Sequence, residues 1–246
     1  MKRCVFTIAD NNNIAYAKMM VNSLRKFHSE DDLPVYVIGQ EKLNEVLKQD
    51  PHFFYRATPI IARDLWRQGF DTIIKIDADS VITAPIKHTW EGEFDVGVVN
   101  NSNPREMKSY PVSVWDINPL NYVNAGFVVM KSERFINHWY TLCHSYHFEN
   151  YQMREQDLLN IMVFYMDFRV AFLDSLDKWH GLISKGYWPM IELRKNKLIF
   201  PKNDEWGNGD KQICAIHWAG GNQPGKMNFN LHFKEDVAKW LKNLTK

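Results

Sequence analysis

Residues 72–83 read Thr-Ile-Ile-Lys-Ile-Asp-Ala-Asp-Ser-Val-Ile-Thr. An apolar, β-branched run halts at two aspartates, Asp77 and Asp79, and resumes as Val81-Ile82. A run of this kind, bounded by turn signals, predicts a buried strand, the sort found in a sheet covered on both faces. Two carboxylates at its end are not there for packing, because an unpaired buried charge costs several kcal/mol. A cation is expected between them, and hard oxygen ligands favour Mn²⁺ or Mg²⁺. Residues i and i+2 of a strand point the same way, so both carboxylates reach one ion. Such ions bind diphosphates, which points to chemistry on a nucleotide diphosphate at the C-terminal edge of a sheet.

The rest of the chain supplies that sheet. Residues 3–9 predict a first strand, and Asp10-Asn11-Asn12-Asn13 a turn and helix N-cap cluster. From 14 to 27, Ile14, Ala17, Val21 and Leu24 recur at helical spacing. Residues 33–39 predict a second strand and 41–48 a short helix. Thr58-Pro59 reads as a cap followed by proline at the first helical position, with Gly69 as the stop. Beyond the aspartates, 95–100, 125–131, 168–173 and 212–218 predict strands; 132–146, 156–164 and 234–244 predict helices. Residues 101–121 form a long polar loop whose Tyr110 and Trp115 suit a lid or acceptor wall. Residues 174–212 read as irregular and carry Trp179, Trp188 and Trp206. Alternating strands and helices in the first half predict an α/β three-layer domain with a mostly parallel central sheet. No repeat or low-complexity linker divides the 246 residues, so one domain is expected.

Composition narrows the function classes. A hydrophobic content of 45% fills a core at this length. A formal charge of +1 gives nucleic-acid binding no electrostatic basis. Aromatics at 14% suit sugar-binding clefts and ordinary cores alike. Cys4, Cys143 and Cys214 are odd in number, far apart and without CxxC pairing, which argues against zinc or a disulfide framework and fits a reducing compartment. The first apolar-rich stretch is too short for a signal peptide or a membrane span, so a cytoplasmic chain is expected. Near the C-terminus, Phe233, Val237, Trp240, Leu241 and Leu244 alternate with lysines. This amphipathic helix is expected to dock on the domain, with peripheral membrane contact as the alternative.

Three further segments carry candidate chemistry. His217 closes the apolar stretch 212–216 and precedes Trp218-Ala219-Gly220-Gly221-Asn222-Gln223-Pro224-Gly225-Lys226. Neutral imidazole is an acceptable third ligand for Mn²⁺. The glycines let backbone amides approach phosphate, and Lys226 would neutralise a leaving diphosphate. A satisfied core histidine is the bland alternative. Asn124-Ala125-Gly126 is either a plain turn entry or an amide offered to a polyol, with Gly126 leaving room for a sugar ring. Glu155-Gln156-Asp157 opens a helix, where the macrodipole favours acids; at a cleft edge the same groups orient or activate a hydroxyl.

In this order the segments resemble the nucleotide-sugar glycosyltransferases of the GT-A, Rossmann-like fold. The nearest likeness is to the retaining branch that includes glycogenin and the bacterial lipopolysaccharide galactosyltransferases, and it spans 5 to 226. The resemblance implies a nucleotide-binding half of about 1–100 and an acceptor-binding half of about 101–246. It implies that Thr7, Ala9, Asp10 and Tyr16 hold the nucleoside, and that Asp77-Ala78-Asp79 grip Mn²⁺ (or Mg²⁺) on the diphosphate. Asn124, Ala125 and Gly126 would line the donor sugar, and Glu155, Gln156 and Asp157 would face sugar and acceptor. His217 would be the third metal ligand, with Gly220, Gly221 and Lys226 on the phosphates. Three positions depart from the family: Gln223-Pro224-Gly225 stands for the usual Lys-Pro-Trp, Glu155 for aspartate, and the basic residue near the start of the helix before the aspartates is missing, leaving Arg56 or Arg63 to serve.

The activity this implies is metal-dependent transfer of a hexose from a nucleotide-diphosphate sugar, UDP-linked for preference, to a hydroxyl acceptor such as a glycan. Retention is slightly favoured; inversion would need an in-line base, for which Asp157 is the candidate. An aspartyl-nucleophile phosphatase matches Asp77-Ala78-Asp79-Ser80-Val81 locally. Its motif belongs on the first strand, however, and its later GDxxxD signature is missing at Gly209-Asp210. A sugar nucleotidyltransferase would place a glycine-rich loop where Asp10–Asn13 has no glycine. A silent binding module of the same fold is disfavoured by the intact aspartate pair, acidic triplet and histidine.

Overall fold

The computed structural model describes residues 1–47, 53–100, 117, 121–145, 148–151, 153–173, 190–201, 210–218 and 228–246. Its centre is a six-stranded sheet of β1 (Arg3–Ile8), β2 (Val35–Ile38), β3 (Thr72–Ile76), β5 (Val96–Asn100), β6 (Val123–Met130) and β7 (Val170–Phe172). The short β4 (Ser80–Ile82) lies outside it. Strand order is β2-β1-β3-β6-β5-β7, and β6 alone runs antiparallel to its neighbours. The mostly parallel α/β sheet expected from the strand–helix alternation is therefore present.

Both faces of the sheet are covered, which is why β3 reads as an unbroken apolar run. On one face lie α2 (Gln40–Leu47), α3 (Phe53–Arg67), α4 (Glu133–Cys143) and α5 (Glu155–Tyr165). There Ile73 and Val128 of the sheet meet Ala62, Ile136, Trp139 and Leu159. On the other face, Met20 and Leu24 of α1 (Ile14–Arg25) pack on Val5, Ile74 and Ile76. Core burial on two faces makes three layers.

A second cluster extends the α1 side. The short α6 (Phe229–His232) and α7 (Glu235–Leu244) bury Phe229, Val237 and Leu241 against Trp218. Most of the apolar face of α7 is thereby packed on the domain, with Trp240 partly buried against the same cluster. No described helix is long and apolar enough to cross a membrane.

Some elements differ from the sequence reading. α3 starts at Phe53, so Pro59 lies inside the helix rather than at its first position. Proline there forfeits one backbone bond, to the carbonyl of the exposed Tyr55, while Ala57, Ile61 and Leu65 keep the helix anchored. Gly69, at φ 85°, ends α3 as expected. The supposedly irregular stretch 174–212 holds a hairpin of β8 (Glu192–Arg194) and β9 (Lys197–Phe200), joined to β10 (Lys211–Gln212). Its turn, Lys195-Asn196, takes φ of 49° and 60°, the primed geometry that glycine usually announces. Tyr110, Trp115, Trp179, Trp188 and Trp206 lie outside the described residues.

Candidate active site

Asp77 and Asp79 sit in the turn between β3 and β4, not on a strand. The Ser80 amide donates to the Asp77 carbonyl at 3.2 Å, and this turn, rather than strand alternation, aims the two carboxylates together. Backbone pairing of β3 with β6 runs on past Ile76, as the Asp77 amide donates to the Gly126 carbonyl at 2.8 Å. β4 in turn pairs with β11 (Ala215–His217), setting His217 opposite Ser80. The Trp218 amide donates to the Asp79 carbonyl at 3.0 Å and fixes the end of that ladder.

The result is a three-residue cluster drawn from distant segments. His217 Nε2 lies 3.2 Å from Asp77 Oδ2 and 3.1 Å from Asp79 Oδ1. One donor atom from each residue falls within 4.8 Å of the others. An octahedral cation with ligands at about 2.1 Å has neighbouring donors about 3 Å apart, so the spacing suits Mg²⁺ or Mn²⁺. Two carboxylates and one imidazole are also the donor types such ions accept. Gly126 makes the convergence possible: a Cβ there would stand 2.4 Å from His217 Cε1 and 2.8 Å from Asp77 Oδ2. Burial alone would lower the His217 pKa, but the Asp79 and Asp77 carboxylates raise it to about 9. Without a metal, the imidazole is thus a cation lying between two anions.

Lys75 is a member of the site that the sequence reading passed over. It is 6% exposed, and its Nζ donates to the Asp77 carboxylate and, at 2.6 Å, to the Ala125 carbonyl. Burial would raise the Asp77 pKa; Lys75 and His217 outweigh it and hold the carboxyl well below the usual range. The signal was a lysine inside an otherwise apolar, β-branched strand.

The triplet at the start of α5 divides into different jobs. Gln156 Oε1 accepts from the Ala125 amide at 2.9 Å. Asp157 is fully buried: Oδ1 accepts from the Tyr122 hydroxyl at 2.6 Å and Oδ2 from the Met153 amide at 2.9 Å. Asn160 Oδ1 accepts from the Val123 amide at 2.7 Å while its Nδ2 donates to the Val123 carbonyl at 2.9 Å. One polar stripe of α5 therefore pins residues 122–125 in place. Buried and with both oxygens engaged, Asp157 anchors Tyr122 and Met153 in this arrangement. Glu155 differs again. Its Oε2 is buried with no hydrogen-bond partner, and burial pushes its pKa up to about 8 against the pull of Lys75. Just before it, Arg154 holds φ 52°, a strained backbone for a side-chain-bearing residue.

Other expected residues fall less simply. Asn124 Oδ1 accepts from the Gly126 amide at 2.6 Å, so its oxygen shapes the local loop. Ala78 packs with Ala9 and Ala17, with Tyr16 beside them, joining the aspartate turn to the first βα turn. Thr7 and Ala9 are 0% and 1% exposed, and Thr7 Oγ1 is buried without a hydrogen-bond partner. Asp10 Oδ1 accepts from the Asn12 and Asn13 amides at 3.0 and 2.9 Å and ties the turn. The Arg63 guanidinium lies 3.4 Å over the Tyr140 ring of α4, and Arg56 stacks on Phe148 at 4.6 Å. Gly220, Gly221 and Lys226 lie outside the described residues.

No family model matches the sequence. No curated protein matches it either. Solved structures do. The chain superposes on the galactosyltransferase LgtC, solved in complex with donor and acceptor sugar analogs, with a TM-score of 0.62 at 15% identity, covering 98% of this chain and 95% of that one. The bifunctional glycosyltransferase WbbM, in its apo form, matches with a TM-score of 0.55 at 17% identity over 99% of this chain and 51% of that one. A glycosyltransferase involved in glycosylation of the major capsid of PBCV-1 matches with a TM-score of 0.50 at 14% identity, covering 72% and 84%. At these identities the likeness establishes the fold, which is that of the GT-A glycosyltransferases.

Proposed function

We propose that the protein is a metal-dependent glycosyltransferase that moves a hexose from a nucleotide-diphosphate sugar, for preference a UDP-sugar, to a hydroxyl acceptor such as a glycan. One observation carries the reading: Asp77, Asp79 and His217 converge, with donor spacing suited to a hard divalent ion, at the end of β3 in a GT-A fold. That LgtC was solved with donor and acceptor sugar analogs supports substrates of this class.

Asp77, Asp79 and His217 would hold Mn²⁺ or Mg²⁺. The ion, when bound, would offset the negative charge that gathers on the departing diphosphate. The chain's own groups do the remainder. Asp10 and Tyr16, at the first βα turn, would face the nucleoside, and the phosphate contacts expected of Gly220, Gly221 and Lys226 fall outside the described residues. Residues 124–126, locked to α5 through Gln156, form the floor under the sugar. As the bond from the anomeric carbon to the diphosphate oxygen breaks, the acceptor oxygen bonds to that carbon and its proton passes to the diphosphate. Retention is the outcome we favour, because Asp157, the base an inverting route required, is sealed between Tyr122 and Met153. Cys4, Cys143 and Cys214 are all buried free thiols, which suits a cytoplasmic setting.

The test is metal-dependent turnover of UDP-, GDP- and dTDP-hexoses, with and without EDTA. Asp79→Ala is expected to abolish hydrolysis and transfer while the fold survives, seen as a cooperative thermal melt. Transfer at the wild-type rate in EDTA would refute the reading. Phosphate release from simple phosphomonoesters, with no sugar nucleotide present, would replace it with the phosphatase alternative.

A further inference from the structure

A cavity of about 520 Å³ opens between α1 and the two C-terminal helices and shares no residue with the aspartate–histidine cluster. Met19 of α1 and Phe229 of α6 give it an apolar wall, and Lys239, Lys242 and Lys246 line the side formed by α7 and the residues that close it. Positions 239, 242 and 246 are spaced i, i+3 and i+7, so the three lysines form one stripe. No acidic side chain lines the cavity. In a chain with 30 basic and 29 acidic side chains, this is a local excess of positive charge. The walls are tied together before any ligand arrives. Asn22, one turn along α1 from Met19, donates through Nδ2 to the carbonyls of Thr245 and Lys246 at 3.1 and 3.0 Å.

Lysines near the end of a helix ordinarily serve its free carbonyls and its macrodipole. Here other groups take those carbonyls. The Thr245 amide and hydroxyl donate to the Leu241 carbonyl at 3.1 and 3.0 Å, and Asn22 satisfies Thr245 and Lys246. Lys242 Nζ donates to Asn230 Oδ1 at 2.9 Å and Lys246 Nζ to Asn243 Oδ1 at 3.5 Å, both neutral amides. Glu235 and Asp236 precede Lys239 by four and three residues, the spacing of a helical ion pair, yet among the described residues Lys239 pairs with neither. Like charges at these spacings repel, so α7 gains nothing from the stripe by itself.

The two halves of the cavity set the chemistry of its occupant. Three ammonium groups without a carboxylate side chain to pair with match a phosphate, which lysine binds as a point charge. A phosphate ion alone leaves the apolar wall wet, whereas an apolar body attached to it removes that wall from water. We propose that this cavity is a ligand site of its own, which takes a phosphate monoester borne on an apolar body. Lys239, Lys242 and Lys246 hold the phosphate, and Met19 and Phe229 receive the body. A membrane lipid headgroup and a soluble phosphorylated amphiphile share this chemistry. The site is independent of the sugar-transfer reading and is tested without any turnover assay.

Calorimetry with octyl phosphate reads the site, with inorganic phosphate and octanol as comparisons. Wild type should bind octyl phosphate at least about tenfold more tightly than either. Lys239→Gln, Lys242→Gln and Lys246→Gln should each weaken it about fivefold. Met19→Gln should remove most of the advantage over inorganic phosphate. All three lysines are exposed, so their variants should keep the wild-type melt, and Lys239→Gln breaks no contact among the described residues. Sedimentation with phosphatidylcholine vesicles, with and without phosphatidic acid, separates the two sources. Capture by the acidic vesicles that the lysine variants lose assigns the site to a lipid headgroup. Binding of octyl phosphate without vesicle capture assigns it to a soluble amphiphile. Wild type that does not bind octyl phosphate would overturn the proposal. So would octanol or inorganic phosphate binding as tightly, or lysine variants that bind as wild type does.

Discussion

Gly126→Ala adds a single methyl group at the place where the site is tightest. That carbon would lie 2.4 Å from His217 Cε1, 2.6 Å from Asn124 Oδ1 and 2.8 Å from Asp77 Oδ2. Gly126 is not among the residues of positive φ, so alanine brings no backbone strain and the effect is one of contacts alone. To restore ordinary van der Waals separation, the imidazole must retreat by about 1 Å. A metal site tolerates only about 0.2 Å in its ligand distances. The expected result is a loss of about 10–100-fold in Mn²⁺ affinity, worth about 1.4–2.7 kcal/mol. Crowding should also cost about 1–3 kcal/mol of stability. At this chain length each kcal/mol lowers the melting temperature by about 2–4 °C. Titration of Mn²⁺ followed by electron paramagnetic resonance, with a parallel thermal melt, reads both effects. An alanine variant that holds Mn²⁺ as tightly as wild type and melts at the same temperature would refute the convergence of Gly126, Asp77 and His217.

Four further outcomes follow from the structure. Asp157→Ala strands the Tyr122 hydroxyl and the Met153 amide in the interior and is expected to cost about 2–4 kcal/mol, read by denaturant titration; a wild-type midpoint would restore Asp157 as a candidate base. Mn²⁺ must displace the proton that the two carboxylates hold on His217, whose pKa they raise to about 9 against burial, so affinity should climb roughly tenfold per pH unit from near neutrality and level off above about 9; a flat profile would contradict the cluster. By the same linkage, the stability this pairing adds to the metal-free protein is complete below 6.5, the ordinary histidine value, and is lost as pH rises through about 9. His28 works in the other direction. Burial lowers its pKa from 6.5 against the pull of Asp32, and its Nε2 accepts from the Ile86 amide at 3.1 Å. Its share of stability is therefore present above 6.5 and is lost as pH falls below it, and His28→Gln should flatten that limb of the denaturation midpoint against pH.

How much was legible from sequence depended on the range of the interaction. Local signals were sound: the β-branched run of β3, the helical spacing of α1 and the Gly69 stop. The β8–β9 hairpin was invisible because Lys195-Asn196 adopts a primed turn with no glycine to mark it. Pro59 misled because a proline near a helix start reads as its first residue, and only the packing of Ala57 and Ile61 shows that the helix begins earlier.

The sequence by itself determined the class of fold and the chemical types at its centre: two carboxylates ending a buried strand, a histidine ending another, a small-residue segment between them. It did so because periodicity, turn chemistry and the cost of a buried charge act over a few neighbouring residues. Tertiary structure alone decided which of these groups meet. The β4–β11 ladder brings His217 to the aspartate turn, and antiparallel β6 sets Gly126 beneath them. The same assembly buried Asp157 between Tyr122 and Met153, laid Arg63 over the ring of Tyr140 and made Lys75 a neighbour of Asp77 and Ala125. Those outcomes depend on the order and direction of strands far apart in the chain, and a hydrogen bond or a burial cost has no value until both of its partners have been placed.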